Sequence, residues 1–205
     1  MSNIEAIVSS PRDKGNTGTL VNAILDGAMG LSTNIIKYYG LSNIRSFYGC
    51  DACGKCKSEG KCVQNDGLTD ILNDLVKADV AIFSTPVYFN GPSAQFKTLI
   101  DRMYSFYVQG DANPVKGKKA ILVVSGSAPV GVVTSVGEGI AAVLGSVGFD
   151  VYEIIAYSDE GGSKSARDDH ELLKRMNEIG LNLRNNKHNR FQSALGAPVR
   201  GCSAS

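Results

Sequence analysis

The chain has 205 residues, 43% of them hydrophobic, and 21 Lys+Arg against 20 Asp+Glu leave a net charge of +1. That length fits one domain able to bury a full core, and the balanced charge gives no electrostatic case for a nucleic-acid or membrane partner. The opening MSNIEAIVSS lacks a signal peptide's basic region and apolar core, and no run of about 18 apolar residues stands out as a transmembrane helix, so a cytoplasmic protein is expected.

In chain order, β-branched apolar runs fall at residues 4–9, 34–39, 79–85, 119–125 and 150–157. Most are nearly continuous in apolar character, as strands covered on both faces should be. Segments of helical period lie between and after them: Leu20, Val21, Ile24, Leu25 and Ala28; Leu68, Ile71, Leu72, Leu75 and Val76; Phe96, Leu99, Ile100, Met103 and Tyr107; Val136, Ile140, Val143, Leu144 and Val147; and Leu172, Leu173, Met176 and Ile179. Each spacing puts an apolar stripe on one helix face. Five strands alternating with five helices predict an α/β fold, a doubly wound five-stranded parallel sheet with helices on both faces. In such sheets ligands sit beyond the carboxyl ends of the strands, so the functional loops should follow residues 9, 39, 85, 125 and 157. The expected organisation is one domain over residues 1–185 and a polar tail over 186–205. Within the domain a cysteine-rich insertion over 41–66 is far longer than an ordinary βα loop.

The loop after the first strand, SSPRDKGNTGTL, is neither a Walker A loop nor GxGxxG. It delivers Ser9, Ser10, Asn16, Thr17 and Thr19, with Arg12 nearby, onto a helix start, where unpaired N–H groups and the dipole suit a phosphate. A plain N-cap at Asn16 or Thr17 is the competing explanation. After the third strand, STPVYFNGPSAQFKTLIDR places Pro86, Tyr88, Phe89 and Asn90 at the strand end and offers Ser93 as a helix cap. The aromatic pair can flank a flat ligand or simply fill core or interface. Ser125, Gly126 and Ser127 follow the fourth strand on the same edge. Together the three loops describe a site for a phosphate joined to a planar ring. No general acid or base accompanies them, so no catalytic side chain is assigned, which suits electron or hydride transfer better than hydrolysis.

Cys50, Cys53, Cys56 and Cys62, in CDACGKCKSEGKC, have spacings x2, x2 and x5. Successive x2 intervals resemble the ferredoxin run that wraps a cubane cluster. Structural zinc more often uses two separate knuckles, and a reducing compartment disfavours disulfides. Cluster, zinc and free or redox-active thiols all stay open on spacing alone. Gly54 and Gly60 suit close backbone approach to sulfur. His170 and His188 read as surface residues, and Cys202 as a lone thiol in the tail with no assigned role.

SSPRDKGNTGTL, the CxxCxxCx5C stretch, ADVAIFSTPVYFNGPSAQFKTLIDR and the strand at 119–125 resemble, in order, the flavodoxin-like NAD(P)H-dependent FMN reductases, and among these the iron–sulfur flavoproteins. The resemblance covers about residues 1–160. It implies a flavodoxin-like fold and FMN, with the phosphate on Ser10, Arg12, Asn16 and Thr17. The isoalloxazine would lie against Pro86, Val87, Tyr88, Phe89 and Asn90, with Gly126 beneath it. It implies a [4Fe–4S] cluster on the four cysteines, a ferredoxin-like donor or NAD(P)H, a small-molecule acceptor, and a homodimer or homotetramer. The acidic pair that usually follows the last cysteine is here Asn65–Asp66. The expected function is an FMN-dependent oxidoreductase passing electrons between cluster and FMN. The alternatives are a cluster-free NAD(P)H-dependent FMN or quinone reductase and a zinc-stabilised flavodoxin-like binding protein.

Overall fold

A computed structural model describes residues 2–12, 14–30, 34–107 and 112–183. The predicted tail, with His188 and Cys202, lies outside these residues. Strands β1 (Asn3–Val8), β2 (Ile35–Gly40), β3 (Val80–Tyr88), β5 (Lys119–Gly126) and β6 (Asp150–Ser158) pair in parallel in the order β2-β1-β3-β5-β6. A two-residue strand, β4 (Gly91–Pro92), runs antiparallel on the end of β3. With β4 set aside, this is the 2-1-3-4-5 order of the flavodoxin-like doubly wound sheets. The five predicted strands are all present, with ends within a residue of expectation except that β3 runs three residues further, to Tyr88.

Alternation along the strands divides the core between the two sheet faces. Ile4, Ala6, Ile82 and Val123 bury against α1 (Asn16–Met29) and α6 (His170–Asn182). Ile7, Phe83 and Leu122 bury on the other face with α3 (Thr69–Leu75), α4 (Ala94–Arg102) and α5 (Val130–Val147). Helices α4 and α6 start on side-chain caps, Ser93 accepting from the Phe96 N–H and Asp169 from the Leu172 N–H. Helices α1 and α6 touch backbone to backbone. A Cβ on Gly27 would stand 2.0 Å from the Asn177 carbonyl oxygen, and one on Gly180 1.9 Å from that of Ile24. This crossing tolerates no side chain at either glycine.

Several expectations are corrected. A short helix, α2 (Cys56–Glu59), and β4 escaped the periodicity because neither is long enough to show one. The edge strand β2 is largely exposed rather than covered on both faces. The stripe on α5 is narrower than its sequence suggested: Val133, Gly137, Ile140, Leu144 and Val147 are buried, but Val143 is 42% exposed. By length and composition α5 is also apolar enough to cross a membrane, with a mean hydropathy of 1.6 over 18 residues. In this fold it is the crossover helix between β5 and β6.

Candidate functional site

The carboxyl ends of β1, β3 and β5 are tied together by a chain of buried hydroxyls. Ser9 Oγ donates to the Ser84 carbonyl at 2.8 Å, and Ser93 Oγ stands 3.0 Å from Ser9 Oγ. The Ser93 N–H donates to Thr85 Oγ1 at 3.0 Å. Thr17, at the start of α1, shares a 2.6 Å hydrogen bond with Ser125 at the end of β5. The three loops singled out in the sequence therefore meet on one sheet edge, held by bonds that are themselves protected from water.

The N-cap of α1 is Gly15, not Asn16 or Thr17, and Gly15 has no side chain to accept from the first turn. No acidic residue lies in that turn either. Among the described residues no side chain caps the helix's first-turn N–H groups, the condition under which a helix start takes an anion. Ser10 is buried, with its Oγ accepting from the Arg12 N–H at 3.2 Å, while the Arg12 side chain is exposed. The side chains of Asn16 and Thr17 are already engaged. Asn16 donates to Asp159 Oδ2 at 3.3 Å and accepts from the Ala166 N–H at 3.0 Å, and Thr17 is 2% exposed. Asn16 therefore locks the phosphate-type loop to the segment after β6. Arg167 adds to that lock by donating to the Lys14 carbonyl at 3.1 Å. Asp159, Ala166 and Arg167 were not found in the sequence, because their partners lie about 150 residues away.

At the end of β3, Pro86 is buried, Val87 half-buried, and Tyr88, Phe89 and Asn90 exposed. Val87 pairs with Pro92 and Tyr88 with Gly91, which leaves Phe89 and Asn90 as a two-residue turn. Their φ values of 48° and 58° are those of a type I′ turn. Phenylalanine is ill suited to this conformation, which costs about 1–3 kcal/mol at a residue without local support. The ring it holds out is fully exposed. A hydrophobic ring kept solvent-facing on a strained turn is of the kind found at ligand clamps. Gly126 lies against Val87, and a Cβ there would come within 3.1 Å of the valine Cβ. Packing between β3 and β5 thus accounts for this glycine by itself.

The cysteine loop is organised from below by a residue that sequence reading passed over. Arg102, on the apolar stripe of α4, has a wholly buried side chain. Its Nε–H donates to Cys62 Sγ at 3.2 Å. Its Nη1 donates to the Tyr48 carbonyl at 2.9 Å, Gln64 Oε1 at 2.6 Å and Asp66 Oδ2 at 2.7 Å. Burial is the largest single influence and works against both charges, but the mutual hydrogen bond, the further hydrogen bonds to each group and the opposite charge together outweigh it, raising the guanidinium's pKa and lowering the carboxyl's. Asp66, the surviving member of the acidic pair, is thus the counter-ion that lets an arginine be buried. The one signal in the sequence was a charge on an otherwise apolar helix face. Lys57 clamps the outer part of the loop, donating to the carbonyls of Tyr104 and Tyr107 at 2.8 and 2.7 Å.

Cys50 and Cys53 are exposed, Cys56 and Cys62 half-buried, and all four are free thiols. In donor type, accessibility and confinement to one loop they fit a sulfur-ligated centre. Among the described residues, however, no three His, Cys, Asp or Glu side chains stand together as a metal-holding group. Gly54 and Gly60 have φ of 71° and 69°, the left-handed region that suits glycine in a turn, and open space around a Cβ position.

Residues 2–143 match the model of the NADPH-dependent FMN reductase family, and the chain belongs to that family. It is 40% identical over 98 residues to an iron–sulfur flavoprotein of Methanocaldococcus jannaschii, covering 47% of this chain and 49% of the relative. It is 33% identical over 112 residues to one of Archaeoglobus fulgidus, covering 55% and 49%. The chain spans about half the length of the curated relatives it matches. Among solved structures, the fold is similar to an NAD(P)H:quinone oxidoreductase of Methanothermobacter marburgensis, with TM-score 0.69 and 18% identity over 91% of this chain and 99% of that one. A flavodoxin-type WrbA-like protein of Agrobacterium tumefaciens gives TM-score 0.57 and 19% identity over 90% and 96%. These two likenesses bear on the fold.

Proposed function

We propose that the protein is a flavin-dependent oxidoreductase that holds FMN where the ends of β1, β3 and β5 converge. The observation that carries this reading is the start of α1, which no described side chain caps and which the Thr17–Ser125 bond fastens to the end of β5, on the sheet edge where β3 runs into the strained Phe89–Asn90 turn. The first-turn N–H groups, Ser10 and Arg12 would hold the phosphate. Asn16 and Thr17 would act by fixing the loop, since their side chains are bonded within the protein. Pro86, Val87, Tyr88, Phe89 and Asn90 would border the ring, and Gly126 lets the β5 end lie close against Val87.

The four cysteines are proposed to ligate a [4Fe–4S] cluster. Support comes from their spacing, their free thiols, the N–H that Cys62 receives from Arg102, and the names of the matched relatives. When bound, such groups supply single-electron transfer at the cluster and one- or two-electron transfer at the flavin. Electrons would enter from a ferredoxin-like donor or NAD(P)H and leave to a small-molecule acceptor. A cytoplasmic homodimer or homotetramer is proposed with it. The apolar α5, with Val130 and Val143 exposed on its outer side, is the surface that favours assembly.

A second reading, the cluster-free NAD(P)H-dependent reductase, is favoured by one observation: the thiols do not stand together as a ligand group. The visible spectrum of anaerobically purified protein separates these. Flavin bands with a dithionite-bleachable shoulder support the cluster, flavin bands alone support the second reading, and a colourless folded protein overturns both.

A further inference from the structure

Among the described residues, the Arg102 guanidinium is the group that touches the cysteine loop at most points. Its side chain has no solvent exposure, and its hydrogen bonds reach positions 48, 62, 64 and 66 at once. A buried cation needs anionic or strongly polar company. Asp66 answers the charge and shares the two Nη1 hydrogens with the Tyr48 carbonyl and the Gln64 side-chain oxygen, while Nη2 reaches the Gln64 carbonyl. The Nε–H alone is aimed at sulfur. A thiol is a weak acceptor for a guanidinium, whereas a sulfur bearing negative charge, as a metal ligand does, is a strong one.

We propose that Arg102 is the positioning residue of the thiol site: its Nε–H orients the Cys62 sulfur for metal ligation while its Nη groups hold the flanking backbone in place. This rests on reading the four cysteines as a ligand set, but not on which metal centre occupies them. Groups that orient metal ligands from behind typically contribute 10–100-fold to metal affinity. Lysine at this position keeps a positive charge for Asp66 and loses the planar fork that serves sulfur and carboxylate together.

The test uses cobalt(II) alone as probe, titrated anaerobically against a competing chelator. Arg102→Lys is expected to weaken cobalt binding 10–100-fold, to reduce sulfur-to-cobalt charge transfer, and to leave FMN content unchanged. In a Cys62→Ser background the same substitution should have a smaller effect, that of the lost Nη bonds alone, whereas in a Cys50→Ser background its full effect should persist. Should Arg102→Lys not fold, the wild-type cobalt protein still decides: its metal–sulfur stretching frequencies should shift in D2O, because an exchangeable N–H is bonded to sulfur. Unchanged affinity in Arg102→Lys, an equal loss in the Cys62→Ser background, or frequencies insensitive to D2O overturns the assignment. Iron and labile sulfide are measured separately on reconstituted wild type. Cobalt binding that depends on Arg102 without iron–sulfide uptake upholds this assignment and removes the cluster reading. A wild type that binds neither overturns both.

Discussion

Glu5 offers the sharpest quantitative test of the interior. It sits mid-strand in β1 with 1% exposure, and neither carboxyl oxygen has a hydrogen-bond partner. Burial, reinforced by Asp74 and only partly offset by Lys37, pushes its pKa up to about 9 from an ordinary 4.5. The native state therefore keeps a proton that the unfolded chain releases, so stability falls as pH rises from about 4.5 to about 9, then levels off. The slope across that window is about 1.4 kcal/mol per pH unit. Glu5→Gln has nearly the same shape and does not titrate. The stability of Glu5→Gln minus that of wild type should thus grow by roughly 3 kcal/mol between pH 6 and pH 8. For a domain of this size that corresponds to a Tm difference widening by about 5–10 °C. Differential scanning calorimetry of both proteins at four pH values measures it directly. Parallel Tm profiles would refute the reasoning, since they would mean that Glu5 is already ionised or solvated in the native state.

Four further outcomes are expected. Gly180→Ala should destabilise by about 1–3 kcal/mol or more, because the new methyl meets the Ile24 carbonyl across the α1–α6 crossing; chemical denaturation reads it. Thr17→Val strands the buried Ser125 hydroxyl and should cost about 1–3 kcal/mol, with weaker FMN retention following from a loosened loop and not from a lost phosphate contact. Phe89→Asn should raise Tm, since asparagine tolerates the left-handed conformation, and lower flavin affinity by removing the ring. Serine at Cys50, Cys53, Cys56 or Cys62 should lose iron and spare FMN, whereas Cys202→Ser should change neither, as iron and flavin analysis will tell.

The sheet was legible because apolar runs and 3.6-residue stripes are local patterns, and Ser93 was recognisable as a cap for the same reason. The β3–β4 turn was not. An Asn-Gly pair is the usual type I′ signal, and it points to Asn90–Gly91, yet the turn is made by Phe89–Asn90 with Gly91 in the strand. The roles of Asn16, Thr17 and Arg102 were hidden because their partners lie far along the chain. Asn16 could be placed on the phosphate-type loop but not recognised as its fastening to Asp159 and Ala166. Asp66 looked like the remnant of a broken pair until Arg102 was found buried against it. Periodicity finds the elements, whereas the bonds that tension loops between them depend on tertiary placement.

The central claim is that the start of α1, which no described side chain caps, takes the phosphate of FMN. Equilibrium binding of FMN and of riboflavin to flavin-free protein tests it most directly, because the two ligands share the ring and differ in the phosphate. The account predicts that FMN binds at least about tenfold tighter, a difference of about 1.4 kcal/mol, and that high phosphate concentrations weaken FMN binding but not riboflavin binding. Equal affinities for the two flavins, unaffected by phosphate, would contradict it.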